Sequence, residues 1–217
     1  MEDMIAEVDE TLDVLRNELD AVAANQEAGR QFLIRSLSLQ HRLAKGERRR
    51  FLAMAAYFEL LGSYELRNLL HRWAAETELH DDVARFELQE MDEKPHDCPL
   101  DAKLWGAYFD GIVLQRPYVT LGATYALACL QCEAAASGRR LASEEALPHE
   151  SESNGQRSAE AAGSLRGSQI VAALQSAPPD HDELADIAEG LRTGAILGLR
   201  MARWAMGHAD AALGVAV

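Results

Sequence analysis

The sequence predicts an all-α protein, and three observations carry that reading. Apolar residues recur at alternating intervals of three and four over most of the chain, glycines and prolines fall at the ends of the periodic runs, and no segment alternates as a strand would. With 217 residues and 48% hydrophobic content the chain can fill one core, so a single domain over 1–217 is expected.

Taken in order, Ile5, Val8, Leu12, Leu15, Leu19 and Val22 form one stripe on an otherwise acidic N-terminal amphipathic helix, within residues 1–26. Burying that stripe requires the chain's own helices or a second copy. A second run through Phe32, Leu33, Leu37 and Leu43 ends at Gly46, and a third through Phe51, Leu52, Ala55 and Phe58 ends at Gly62; both glycines read as helix stops. Ser63 then offers an N-cap to a long helix ending before Pro95, with Leu66, Leu70, Trp73, Thr77, His80, Ala84, Leu88 and Met91 on its inner face. Asp101 is placed to cap a helix toward Gln115, and Pro117 to open the next one. Residues 139–167 are rich in Ser, Glu, Ala and Gly, which predicts a polar insertion, mobile or poorly packed. A short apolar piece around Ile170 to Leu174 follows, and Asp180 with Glu183 resembles a capping box for the last helix. The expected architecture is a bundle of about seven helices.

Charge and cysteine content narrow the partners. The balance of 21 basic against 35 acidic residues, a formal −14, repels nucleic-acid phosphates and anionic lipid surfaces, so neither is an expected partner. The basic cluster Lys45 to Arg50 reads as a solvated helix junction. Three cysteines, Cys98, Cys129 and Cys132, together with an acidic start that lacks an apolar signal core, point to the reducing cytoplasm. The run from Pro117 to Gly138 carries Glu133 as its one charge, yet Thr120, Thr124, Gln131 and Ser137 make it a buried core helix rather than a membrane span.

Some residues could carry chemistry. Glu76 and His80 lie one helical turn apart and can converge on one metal ion, or Glu76 can simply hydrogen-bond His80 at the core edge. Glu133, isolated in an apolar helix, must be protonated, paired with an arginine, or bound to a metal. Gly190, Gly194 and Gly198 recur every four residues and form a bare ridge, either for tight helix packing or for a groove in which a flat ligand lies.

Several segments resemble the heme-oxygenase-like nonheme diiron oxidases and oxygenases, relatives of the thiaminase-like and pyrroloquinoline-quinone-synthase-like helical proteins. Glu65-Leu66-Arg67-Asn68-Leu69-Leu70 leading to Glu76 and His80 is similar to the family's first ligand helix, and Leu121-Gly122-Ala123-Thr124-Tyr125-Ala126-Leu127 leading to Glu133 to a later one. Asp182 to Gly190 resembles the closing helix, and the likeness covers roughly residues 50 to 208. It implies a heme-oxygenase-like bundle in which Glu76, His80 and Glu133 hold iron; in this sequence His149, His181 or Asp182 could complete a carboxylate-rich site for one Fe or Mn. Trp73 and Tyr125, with Gly190, Gly194 and Gly198, would line the pocket of a small or acyl-chain substrate.

The chain also departs from that pattern. The family's Asp-x-x-His is missing, since no Asp occurs between Asp110 and Asp180 and His149 is the one His in that interval. No His precedes His41, which speaks against heme, and no nucleotide-binding loop is present. A thiaminase-like reaction would need Cys129 or Cys132 as nucleophile. Two functions are therefore expected: a nonheme-iron, oxygen-dependent oxidase or oxygenase, or a catalytically inactive bundle that binds a small molecule or a protein, with a homodimer formed through the N-terminal helix as one form.

Overall fold

A computed structural model of the chain describes residues 2–23, 25–143 and 167–208. Among them the secondary structure is entirely helical: α1 (Glu2–Ala23), α2 (Gln26–Leu60), α3 (Tyr64–Glu90), α4 (Leu100–Ile112), α5 (Pro117–Ser143), α6 (residues 167–176) and α7 (His181–Ala205). The insertion expected at 139–167 lies mostly outside the described residues, and α5 continues through its first part to Ser143.

Local signals set most helix ends. Gly62 adopts φ +75, the left-handed region that suits glycine, and lets Ser63 N–H reach back to Phe58 O at 2.9 Å, closing the last carbonyls of α2. Pro117 opens α5. At α7 the capping box forms as expected: Glu183 N–H donates to Asp180 Oδ1 at 2.9 Å, and Asp180 N–H to Glu183 Oε2 at 2.8 Å.

Three expectations fail in whole or in part. Gly46 does not stop a helix, because α2 runs uninterrupted for 35 residues. Its missing side chain makes room instead: a Cβ there would come within 2.6 Å of the Arg50 guanidinium, which folds back over it and donates to Asp110 of α4 at 3.0 Å. The Lys45–Arg50 cluster is solvated at Lys45, Arg48 and Arg49 but lies within one helix rather than at a junction, and Arg50, 4% exposed, ties α2 to α4. Asp101 is not the cap of α4; Pro99 holds that position, and Asp101 is buried with Oδ1 3.1 Å from Arg200 Nε, near enough for an ion pair but off the hydrogen-bonding line.

The helices pair as α2 with α3 and α5 with α7, with α1 laid against α5 and α7 and α4 against α2 and α7. Leu15, Leu19 and Val22 of α1 are buried within the chain, so this part of the stripe needs no second copy; the side chains of Ile5 and Val8 lie outside the described residues. In α5 Val119, Leu121, Ala123 and Ala126 have no exposed surface, so its first turns are enclosed by the neighbouring helices. No described helix is long and apolar enough to cross a membrane.

Its seam with α7 is unusually close. A Cβ on Gly190 would stand 1.9 Å from Val119 O, one on Gly122 2.3 Å from Ile187 O, and one on Gly194 2.7 Å from Ala123 Cα. Backbone therefore meets backbone along these turns.

Candidate functional site

The four sequence-derived metal candidates that are described in addition to Glu133 fall into two places. Glu76 and His80 are half-buried on α3, His80 at the edge of the buried stripe rather than inside it. His181 and Asp182 are exposed in the first turn of α7, where a negative charge favours the helix N-terminus. His149 lies outside the described residues.

Glu133 has a different neighbour. Arg16 of α1 reaches across to it, Nη2 to Oε1 at 2.8 Å and Nε to Oε2 at 3.3 Å, in a two-pronged fork that also bonds Asp13 at 2.7 Å. The hydrogen bond and charge of Glu133 raise the Arg16 pKa, so the cation is held firmly charged. Of the three fates open to Glu133, the arginine pair is the one observed. Any metal ion would compete with that guanidinium for both oxygens. Among the described residues no group of three His, Cys, Asp or Glu side chains is arranged to hold a metal ion. As placed, Glu76, His80 and Glu133 do not fit a single iron donor set.

The residues expected to line a substrate pocket are packed against protein. Trp73 is 1% exposed, meets Phe51 edge-on at 5.6 Å, and donates from Nε1 to Gln169 Oε1 of α6 at 3.2 Å. Tyr125 and Cys129 back onto Gly167 at the start of α6. Burial pushes the Tyr125 hydroxyl up to about 12 and the Cys129 thiol up to about 11, the latter against a hydrogen bond from Tyr125 that favours the thiolate. So raised a thiol is a poor nucleophile at neutral pH. The ridge of Gly190, Gly194 and Gly198 is filled by α5: the first two face its backbone, and a Cβ on Gly198 would meet the Leu130 side chain at 2.4 Å. Of the two readings of that ridge, packing is the one the geometry satisfies.

Other juxtapositions had escaped sequence reasoning. His41 Nδ1 and Asp81 Oδ1 lie 2.6 Å apart between α2 and α3. At the end of the bundle, Arg35, His96, Asp97, Trp204, Gly207 and His208 line a cleft of about 440 Å³. On the surface, α4 exposes Leu100 (57%), Leu104 (46%) and Tyr108 (38%) at intervals of four, while Ala102, Trp105 and Phe109 are buried on its other side. Contacts of Asp101 with Arg200 and of Tyr108 with Glu189 set α4 antiparallel to α7, which brings exposed Ile196 level with Leu104. That strip had a signal in the sequence, namely apolar residues on both sides of a short helix. The cleft had none, because its parts come from distant segments.

No protein-family model matches the chain, and no curated protein or solved structure matches it either.

Proposed function

We propose that this protein is a binding module, a helical bundle that engages a protein partner through the apolar face of α4 and α7 rather than an oxygen-activating enzyme. The observation that carries this reading is the engagement of Glu133 by Arg16, because Glu133 is the carboxylate on which the metal-site alternative most depends. The strip of Leu100, Leu104, Tyr108 and Ile196 supplies the contact surface, since adjoining exposed apolar side chains mark interaction sites. Three free cysteines accord with a cytoplasmic setting.

Thermal melts with and without ferrous iron under anaerobic conditions test this, using the wild type and Glu133→Gln. The binding reading expects iron to leave both midpoints unchanged and the substitution to lower the midpoint only slightly, because Arg16, 43% exposed, is solvated once its partner is neutral. An iron-dependent rise of several degrees in the wild type, lost in Glu133→Gln, overturns it. That outcome would favour the second reading, a nonheme-iron oxidase or oxygenase of heme-oxygenase-like type. Its support is the pair Glu76 and His80, half-buried one turn apart on α3.

A further inference from the structure

Six arginines among the described residues are buried or half-buried: Arg16, Arg35, Arg50, Arg67, Arg116 and Arg203. Five of them end on carboxylates, as a chain with 35 acidic residues makes easy: Arg16 on Glu133, Arg50 on Asp110, Arg67 on Glu59, Arg116 on Asp186 and Glu189, and Arg203 on Glu18. Arg35 is the exception within the described residues. Its guanidinium lies 5.9 Å from the Trp204 ring centroid and donates from Nη1 to Trp204 O at 3.4 Å. Capping that carbonyl at the end of α7 accounts for one donor of the five a guanidinium carries.

We infer that the cleft between α2, the α3–α4 linker and the end of α7 is a binding site for a small oxyanion, a phosphate or carboxylate group, gripped by Arg35. The volume, about 440 Å³, falls within the roughly 300–1,000 Å³ usual for small-molecule sites. His96 and His208 add imidazole donors, the Trp204 ring adds an apolar wall, and Asp97 is the one carboxylate in the lining. The parts are held in place. Gly207, at φ +87, leaves bare the space against Arg35, where a Cβ would come within 2.7 Å of Nη1. Ser38, one turn after Arg35 on α2, accepts from the His96 backbone N–H at 2.9 Å, and its carbonyl receives the Cys98 thiol at 3.5 Å, so the linker is pinned to the helix that carries the arginine. A planar guanidinium with free edges beside two imidazoles suits the paired oxygens of a phosphate or carboxylate. This site is separate from the α4–α7 face.

The test is a titration of the full chain with sodium phosphate and, separately, with sodium acetate at constant ionic strength, followed through the imidazole C–H and Trp indole signals in NMR. The expected result is saturable shifts confined to His96, His208 and Trp204. Arg35→Gln should weaken binding at least tenfold while its melting temperature stays within a few degrees of the wild type. Saturation by phosphate but not acetate assigns a phosphate group, and the reverse assigns a carboxylate. Should Arg35→Gln fail to fold, His208→Gln at the exposed rim serves instead, with a severalfold loss expected. Unsaturable shifts spread over all the histidines, or a folded variant that titrates like the wild type, overturn the proposal.

Discussion

Helix α7 is held on two sides by different physics. Toward α5 its glycines put backbone against backbone, whereas toward α1 the contact runs through side chains: Arg203 grips Glu18 with Nη2 at 2.6 Å and Nε at 3.0 Å, and Leu15 and Leu19 are buried nearby. A backbone seam has no give, because a carbonyl cannot rotate out of the way of a new methyl. A side-chain seam yields by degrees. The two halves of one helix surface therefore tolerate change very differently.

The sharpest way to break that contrast is to add one carbon to each kind of glycine. Gly190→Ala sets a Cβ 1.9 Å from Val119 O, and a loss of about 3 kcal/mol is expected, the upper end for overpacking. Gly106→Ala, in α4 with nothing within 4 Å of the added carbon, should instead stabilise by about 1 kcal/mol, the helix-propensity difference between the two residues. Urea melts of both variants decide it. If both move in the same direction, the seam is not the rigid contact described.

On the α1 side, Leu19→Ala removes a side chain that is 1% exposed, and a loss of about 2–3 kcal/mol is expected from cavity formation. A change below about 0.5 kcal/mol, the usual range for surface positions, would mean that α1 is only loosely seated.

The smallest effect is electrostatic. Hydrogen bonds from Arg203 hold the Glu18 carboxyl below its ordinary range, against the opposing influence of burial. Its folded pKa is thus below the unfolded one, so between the two the unfolded chain binds more protons. The stabilisation is complete above the ordinary carboxylate pKa and is lost as pH falls through the depressed value. Both partners are part-exposed, so the expected size is under about 1 kcal/mol. Glu18→Gln should flatten the acid limb of a stability-versus-pH curve by that amount; an unchanged limb would show that the pair contributes nothing.

What could be read from the sequence was local. The stop at Gly62, the start at Pro117 and the Asp180–Glu183 box each depend on a few neighbouring residues, and each lies where expected. Gly46 misled for the same reason: a glycine after a periodic run looks like a stop, and only the return of Arg50 toward α4 reveals it as a notch. The fate of Glu133 was narrowed to three possibilities but not chosen, because its arginine stands 117 residues away. Arg35 and Trp204, 169 residues apart, carry no sequence trace of their meeting. The strip on α4 passed unread although its apolar residues lie on both sides of the helix, because which side faces water depends on where α2 and α7 lie.

Continuity through Gly46 also bears on how the molecule comes apart. At 35 residues α2 is about 50 Å long, and it contributes to each apolar cluster of the described residues: Phe51, Met54 and Phe58 to one, Phe32, Leu39 and Leu43 to a second, Ile34 and Leu37 to a third. A break at Gly46 would have left the first of these clusters free to open apart from the other two. One unbroken ladder of amide hydrogen bonds links their opening instead, so amide protons near the middle of α2 should exchange with solvent only when the whole bundle unfolds.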